Sequence, residues 1–217
     1  MKNKFLLITG LICLLAGGLF AVDANYYIRK ANYNLLQVDN MRVDLRIRSR
    51  LPQATVPDRQ TSVFFQRPDS LFVYDGKDLL IPREIFLLDL NRLTRDAKSL
   101  RVVKGDSESS QPVALIEAKK MVDGEEVIFL TMIDTVKWTL SQMKIIDKPE
   151  MIADVKFTQR EVQPGIYLPS DIKVVLETKE QARKVPNPRG GTPVTSKFGY
   201  INVIFENYMI NYLGDEK

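Results

Sequence analysis

Few side chains in this sequence can do chemistry, and their absence is the first result. None of the 217 residues is histidine, and Cys13 is the only cysteine. Ser/His/Asp and Cys/His nucleophilic machinery therefore cannot be assembled. The usual ligands of zinc, haem and iron-sulfur centres are missing too. Carboxylates such as Glu161 and Asp171, or a Ser/Lys site, remain as candidates for catalysis, but no spacing singles one out. The expectation is a non-enzymatic chain that uses no metal and no cofactor.

The side chains that stand out are aromatic and cationic. Phe64, Phe65, Phe72, Tyr74, Trp138 and Phe157 lie in segments that read as strands. They admit two readings, the lining of a lipid cavity and an ordinary filled core, because alternation reports which face is apolar and not whether the space above it is filled. Arg42, Arg46, Arg48 and Arg50, with Asp44 among them, alternate with apolar residues. Such a row is the wet face of a strand or a stripe facing anionic lipid. Residues 183–197 form a long basic loop rich in Pro and Gly, a contact element or a plain connection.

These residues need elements to position them. Ile28, Ala31, Leu35 and Val38 share one stripe of a helix over roughly 25–38. The period then changes: Met41, Val43, Leu45 and Ile47 alternate with charged residues, which predicts a half-buried strand. Strands follow one another from there, punctuated by Arg67-Pro68-Asp69, Asp75-Gly76-Lys77, a polar hairpin at Gly105 to Ser109, and Asp123-Gly124. Val136, Trp138 and Leu140 alternate, and Met143 and Ile145 resume one place out of phase, so a bulge is expected near Ser141.

Residues 82–97 break the pattern. Pro82 suits a first helical position, and Ile85, Phe86, Leu88, Leu90 and Leu93 supply an apolar side, which predicts a second short helix. About ten strands joined by short turns indicate one large antiparallel sheet, apolar on one face. The fold class is mostly β with two or three short helices, a curved sheet forming a half-open barrel under a helical lid.

The first residues read as an export signal. Lys2 and Lys4 precede an apolar run from Phe5 to Ala21, and Val22 and Ala24 flank Asp23 at a suitable cleavage site. Residues 1–24 are thus expected to be a signal peptide and 25–217 a single domain; an uncleaved anchor is the alternative. Cys13 follows Ile12 in mid-run, so it does not resemble a lipid-attachment cysteine and would leave with the signal. The full chain has 31 basic and 27 acidic residues; removing Lys2, Lys4 and Asp23 leaves 29 and 26, a net charge of +3. That balance argues against nucleic acid as a partner.

The order of these features resembles the LolA-like periplasmic lipoprotein carriers and lipoprotein-sorting proteins. Phe64-Phe65-Gln66-Arg67-Pro68-Asp69-Ser70-Leu71 is similar to the family's aromatic-x-Lys-Arg-Pro-x-x-Leu segment, with Gln66 in place of the Lys. Ile133-Asp134 followed by Trp138, Gly165-Ile166-Tyr167-Leu168-Pro169, and Val203 to Tyr208 with Asn211 resemble its central and closing strands. The region after Asp75 is arranged differently.

The resemblance implies a periplasmic carrier or chaperone that binds acyl chains of lipoproteins or other lipids and moves them toward the outer membrane, with membrane-associated donor and acceptor proteins as partners. It implies that Arg67 reaches backbone carbonyls of the lid helices, a task suited to the five donors of a guanidinium. A strand-end arginine in solvent is the alternative. The implied ligand-binding residues are Arg67, Phe65, Phe72, Tyr74, Trp138 and Phe157, in a monomer. The competing function is an envelope-assembly or binding module of the same fold that acts through protein contacts.

Overall fold

The structure is a computed structural model that describes residues 23–51, 57–67, 70–77, 79, 81, 83–103, 112–147, 150–179 and 196–212. Residues 1–22 of the expected signal region, Cys13 among them, the polar hairpin at Gly105 to Ser109, Pro68, Pro82 and the basic loop as far as 195 lie outside the described residues.

Helix α1 (Ala24–Leu36) begins where Asp23 caps it, the Asp23 carboxylate accepting from the Asn25 N–H at 3.1 Å. It buries Ile28 and leans Ala31 and Leu35 on the core, while Val38, just past its end, is fully buried. Strand β1 (Asn40–Arg50) then alternates as expected, burying Met41, Val43, Leu45 and Ile47.

Nine further strands complete the sheet: β2 (Arg59–Gln66), β3 (Ser70–Val73), β4 (Ser99–Val103), β5 (Val113–Val122), β6 (Glu125–Asp134), β7 (Thr139–Asp147), β8 (Glu150–Gln163), β9 (Ile166–Lys179) and β10 (Ser196–Ile210). Their order is β3-β2-β1-β10-β9-β8-β7-β6-β5-β4, with every pairing antiparallel. The sheet does not close, since β3 and β4 are its two edges.

This topology explains where the lid must lie. Consecutive strands are neighbours everywhere except between β3 and β4, which sit at opposite edges. The connection between them has to cross a face of the sheet, and it crosses the apolar one. It carries α2 (Arg83–Leu87) and α3 (Leu90–Leu93), whose Ile85, Phe86, Leu87 and Leu90 join the same core as the strands. The Phe86 ring lies 5.3 Å from that of Phe205 on β10.

Two local readings are corrected. Residues 82–97 hold two helices rather than one, because Leu88 takes a left-handed φ of 56°. The Asp89 N–H returns to the Glu84 carbonyl and the Leu88 N–H to that of Ile85, the pattern that ends helices, here with Leu in the place usually given to Gly. The second correction concerns Val136 and Trp138, which lie in a turn and not in a strand. The Asp134 carboxylate accepts from the Val136 and Lys137 N–H groups at 2.8 and 3.0 Å, which stops β6 and starts a turn.

Other turn chemistry is as expected. Asp123 and Gly124 have φ of 50° and 87°, matching the two positive values that a two-residue hairpin turn requires. Ser141 is the extra residue of a bulge, since Met132 faces Gln142 while Ile133 faces Leu140.

Candidate functional site

The lid-to-sheet junction is built from polar contacts set into an apolar wall. At the end of β2 the Arg67 N–H donates to the Asp39 carbonyl at 2.8 Å, which aims the side chain back along α1. Its Nη2 donates to the Leu35 carbonyl at 2.8 Å and the Val38 carbonyl at 3.0 Å, and Nε lies 3.3 Å from the latter. The Leu35 carbonyl also accepts from the Val38 N–H at 3.1 Å, and the Val38 carbonyl lies just past the helix, so the guanidinium adds charge-assisted bonds at the helix's negative end. The Asp39 carboxylate stands 3.5 Å from Nε. Arg67 is therefore a fastening on the first helix, and not an arginine left in solvent.

Two asparagines fasten the same helix elsewhere. Asn32, 2% exposed, accepts from the Leu90 N–H at 3.0 Å and donates to the Asp89 carboxylate at 3.3 Å, tying α1 to α3. Asn34 donates to the Trp138 carbonyl and accepts from the Tyr167 N–H, both at 3.3 Å, tying α1 to the β6–β7 turn and to β9. The apolar stripe of α1 gave no notice of either. The signal available was two asparagines in a helix interior, where their short amides compete with the backbone unless a tertiary partner engages them.

The six expected ligand-binding residues divide. Phe65 and Phe157 are buried on the concave face and share its core. Trp138 is half-buried at the rim, edge-on to Tyr26 at 5.7 Å, with the Lys30 ammonium 5.6 Å from its ring. Phe72 and Tyr74, 61% and 65% exposed, are on the other face of the sheet and are not brought together with the rest. Register gives the reason: Phe72 faces Phe64 and Leu71 faces Phe65, so Leu71 and Val73 point inward. The outer aromatics find partners of their own, Phe64 stacking on Phe72 and the Arg42 guanidinium lying 5.5 Å from the Tyr74 ring.

Three spaces surround α1. Beneath it, between Ala31, Leu35, Leu88, Leu140 and Leu168, the free volume is about 10 Å³. That is room for one water at most, so the lid is packed down. Beside its N-terminal half, Tyr26, Tyr33, Trp138, Arg29, Lys30 and Lys137 border an open groove of about 560 Å³. Beside its C-terminal half, a cleft of about 250 Å³ opens between Leu35, Leu36, Phe65 and Arg67 on one side and α2 and α3 on the other.

The carboxylates that could have formed a catalytic pair are apart. Asp171 faces Thr158 in the β8–β9 ladder and Glu161 faces Tyr167, and neither lines these spaces. Burial pushes the Asp171 carboxyl above its ordinary range, while Glu161 accepts from the Gly165 N–H at 2.7 Å in the β8–β9 turn. Among the described residues no group of three or more His, Cys, Asp or Glu side chains is placed to hold a metal, and no helix is long and apolar enough to cross a membrane.

No family model and no curated protein matches the sequence. Similarity appears at the level of structure. A LolA superfamily protein from Nitrosomonas europaea superposes with a TM-score of 0.53 at 11% identity, covering 90% of this chain and 96% of that one. A DUF1329 family protein from Desulfovibrio piger superposes with a TM-score of 0.53 at 9% identity, covering 88% and 94%. At such identities the likeness is one of fold. The chain has a LolA-like fold: one large open antiparallel sheet with a helical lid across its apolar face.

Proposed function

We propose that this chain is an exported, periplasmic carrier that takes the acyl chains of a lipoprotein or another lipid beneath α1 and moves them toward the outer membrane. The observation that carries the reading is the Arg67 fastening. A lid held on an apolar wall by a guanidinium on two backbone carbonyls, and by two asparagines, can be released without breaking the sheet. Capture needs no chemical step. At about 25 cal/mol per Å² of apolar surface, hiding a few hundred Å² of acyl chain supplies several kcal/mol, enough for reversible binding and handover. Donor and acceptor proteins at the two membranes are the partners this role calls for.

One observation favours a second reading. The space beneath the lid is about 10 Å³, as in a closed binding or envelope-assembly module that works through protein contacts and holds no lipid. Native mass spectrometry of protein isolated from its host separates the two. Co-purifying lipid, or saturable uptake of a fluorescent fatty acid, is expected for the carrier; a rigid protein that takes up neither sinks that reading.

A further inference from the structure

The outer face of α1 carries side chains that neither the lid fastenings nor acyl capture uses. Ile28, Ala31 and Leu35 turn to the core, which leaves Tyr26, Arg29, Lys30, Tyr33 and Leu36, at spacings of three and four, on the side open to solvent. The helix has these two basic residues and no acidic one. The β6–β7 turn extends the face with Lys137, Trp138 and the exposed Val136. Asn34 ties the turn to the helix through the Trp138 carbonyl at 3.3 Å, and Trp138 holds a left-handed φ of 54° there. The Lys30 ammonium lies 5.9 Å from the Tyr26 ring and 5.6 Å from that of Trp138. No carboxylate lines the groove of about 560 Å³ that these residues border. Among the described residues, Arg29, Lys30 and Lys137 make no ion pair. Asp23 attracts Arg29 without bonding it and is itself held by Asn25, while Asp134 and Glu161 accept from backbone N–H groups of their own turns.

Tyrosine and tryptophan beside lysine and arginine suit a membrane interface, where a ring with a polar tip settles at headgroup level and cations meet the phosphates. Three cations and no lining carboxylate make the face complementary to an anionic surface. We infer that this face of α1 and the β6–β7 turn docks on an anionic phospholipid bilayer. An acidic protein would answer the cations alone; the exposed Leu36, Val136 and Tyr33 ask in addition for a fluid apolar boundary that conforms to them. Docking does not rest on acyl capture, because the face is the outside of the lid and leaves the space beneath it untouched. It sets the protein with its lid against the membrane.

Trp138 is the only tryptophan of the chain, so its emission reads this face directly. Protein isolated from its host is mixed with vesicles of phosphatidylglycerol and phosphatidylcholine in equal parts, and with vesicles of phosphatidylcholine alone. Binding to the anionic vesicles is expected to be about tenfold or more tighter, since each cation at such a surface is worth about fivefold. Trp138 emission should shift to the blue and be quenched by brominated acyl chains. Salt raised from about 0.1 M to about 1 M, which shortens the screening length from about 10 Å to about 3 Å, should remove most of the preference. Arg29→Gln with Lys30→Gln and Lys137→Gln should bring the two vesicles within about twofold of each other. Tyr33→Ser should weaken binding about threefold with the thermal midpoint unchanged, the side chain being exposed. Binding that leaves Trp138 emission unshifted and unquenched assigns the contact to another face and overturns the proposal. An undiminished preference in the triple variant overturns it too, as does binding to neither vesicle, which passes the face to an acidic protein. Monomeric dihexanoyl phosphatidylglycerol that shifts the emission as far as the vesicles do makes the groove a site for a single lipid and overturns the bilayer. Fatty-acid uptake is measured separately, so the carrier reading stands or falls on its own.

Discussion

Arg67 Nη2 donates to the Leu35 carbonyl at 2.8 Å, joining the end of β2 to the last turn of α1 across 32 residues of sequence. In Arg67→Leu the Leu35 carbonyl keeps the Val38 N–H while the guanidinium bonds to it and to the Val38 carbonyl are lost, so the loss falls on the lid and leaves the sheet ladder intact. Amide exchange in α1 is expected to quicken by about tenfold, the equivalent of one charge-assisted hydrogen bond. The thermal midpoint should fall by no more than about 4 °C for a domain of this size. A larger fall would make Arg67 part of the global fold and remove the case for a releasable fastening. Ligand retention or release should change in the same variant.

Phe65 and Phe72 lie one register position apart in the β2–β3 hairpin and so belong to opposite sides of the sheet. Phe65 is 4% exposed and Phe72 61%. Phe65→Ala leaves a hole in the concave core and is expected to cost about 3–5 kcal/mol in urea unfolding. Phe72→Ala removes one stacked outer ring and should cost no more than about 1 kcal/mol. Comparable losses would mean that the outer aromatic cluster is covered in the working protein.

The contrast between these two phenylalanines shows what was legible in the chain. Alternation from Met41 to Ile47, the Asp123-Gly124 turn and the phase slip at Ser141 are local signals, and each has its expected structure. Ser70 to Tyr74 carries apolar residues on both faces, so period alone could not say which face turns inward; pairing with β2 decides it. Leu88 and Trp138 adopt left-handed backbone that no propensity assigns to such side chains, because tertiary packing and the Asp134 turn impose it. Arg67 was visible only through a family motif. The cleft beside the C-terminal half of α1 draws on the end of β2 and on the α2–α3 connection, and no local pattern announces that meeting.

Asp44 sets a pH dependence whose sign follows from its partners. Its carboxylate accepts from Ser62 Oγ at 2.6 Å and from Asn207 Nδ2 at 3.0 Å, and these bonds hold it below the ordinary carboxylate range. A depressed folded value means that the stabilisation is complete above the unfolded value of about 3.9 and is lost as pH falls through the folded one. The site is largely open to water, so the contribution should stay under about 1 kcal/mol. Urea midpoints of Asp44→Asn and the unaltered protein are expected to differ by a constant amount from pH 7 to 5, then converge below about pH 4. A difference that persists at pH 2 would assign the effect to geometry and not to charge.

The N-terminus of α1 bears on how freely the lid moves. Asp23 caps the helix through the Asn25 N–H, and Ala24 is 3% exposed within the core. The cleavage site expected after Ala24 would remove both and place the Asn25 ammonium at the positive end of the helix, where charge of that sign is unfavourable. A chain beginning at Asn25 should therefore show α1 amides exchanging about threefold to tenfold faster than one beginning at Asp23. Arg67 would then be the main polar fastening at one end, with the other end loosened by processing. The intact mass of the exported protein decides which chain is the working one. A mass that begins at Asn25 is the expected result; one that retains Asp23 keeps the cap and gives a lid fastened at both ends, and release would then have to begin at Arg67.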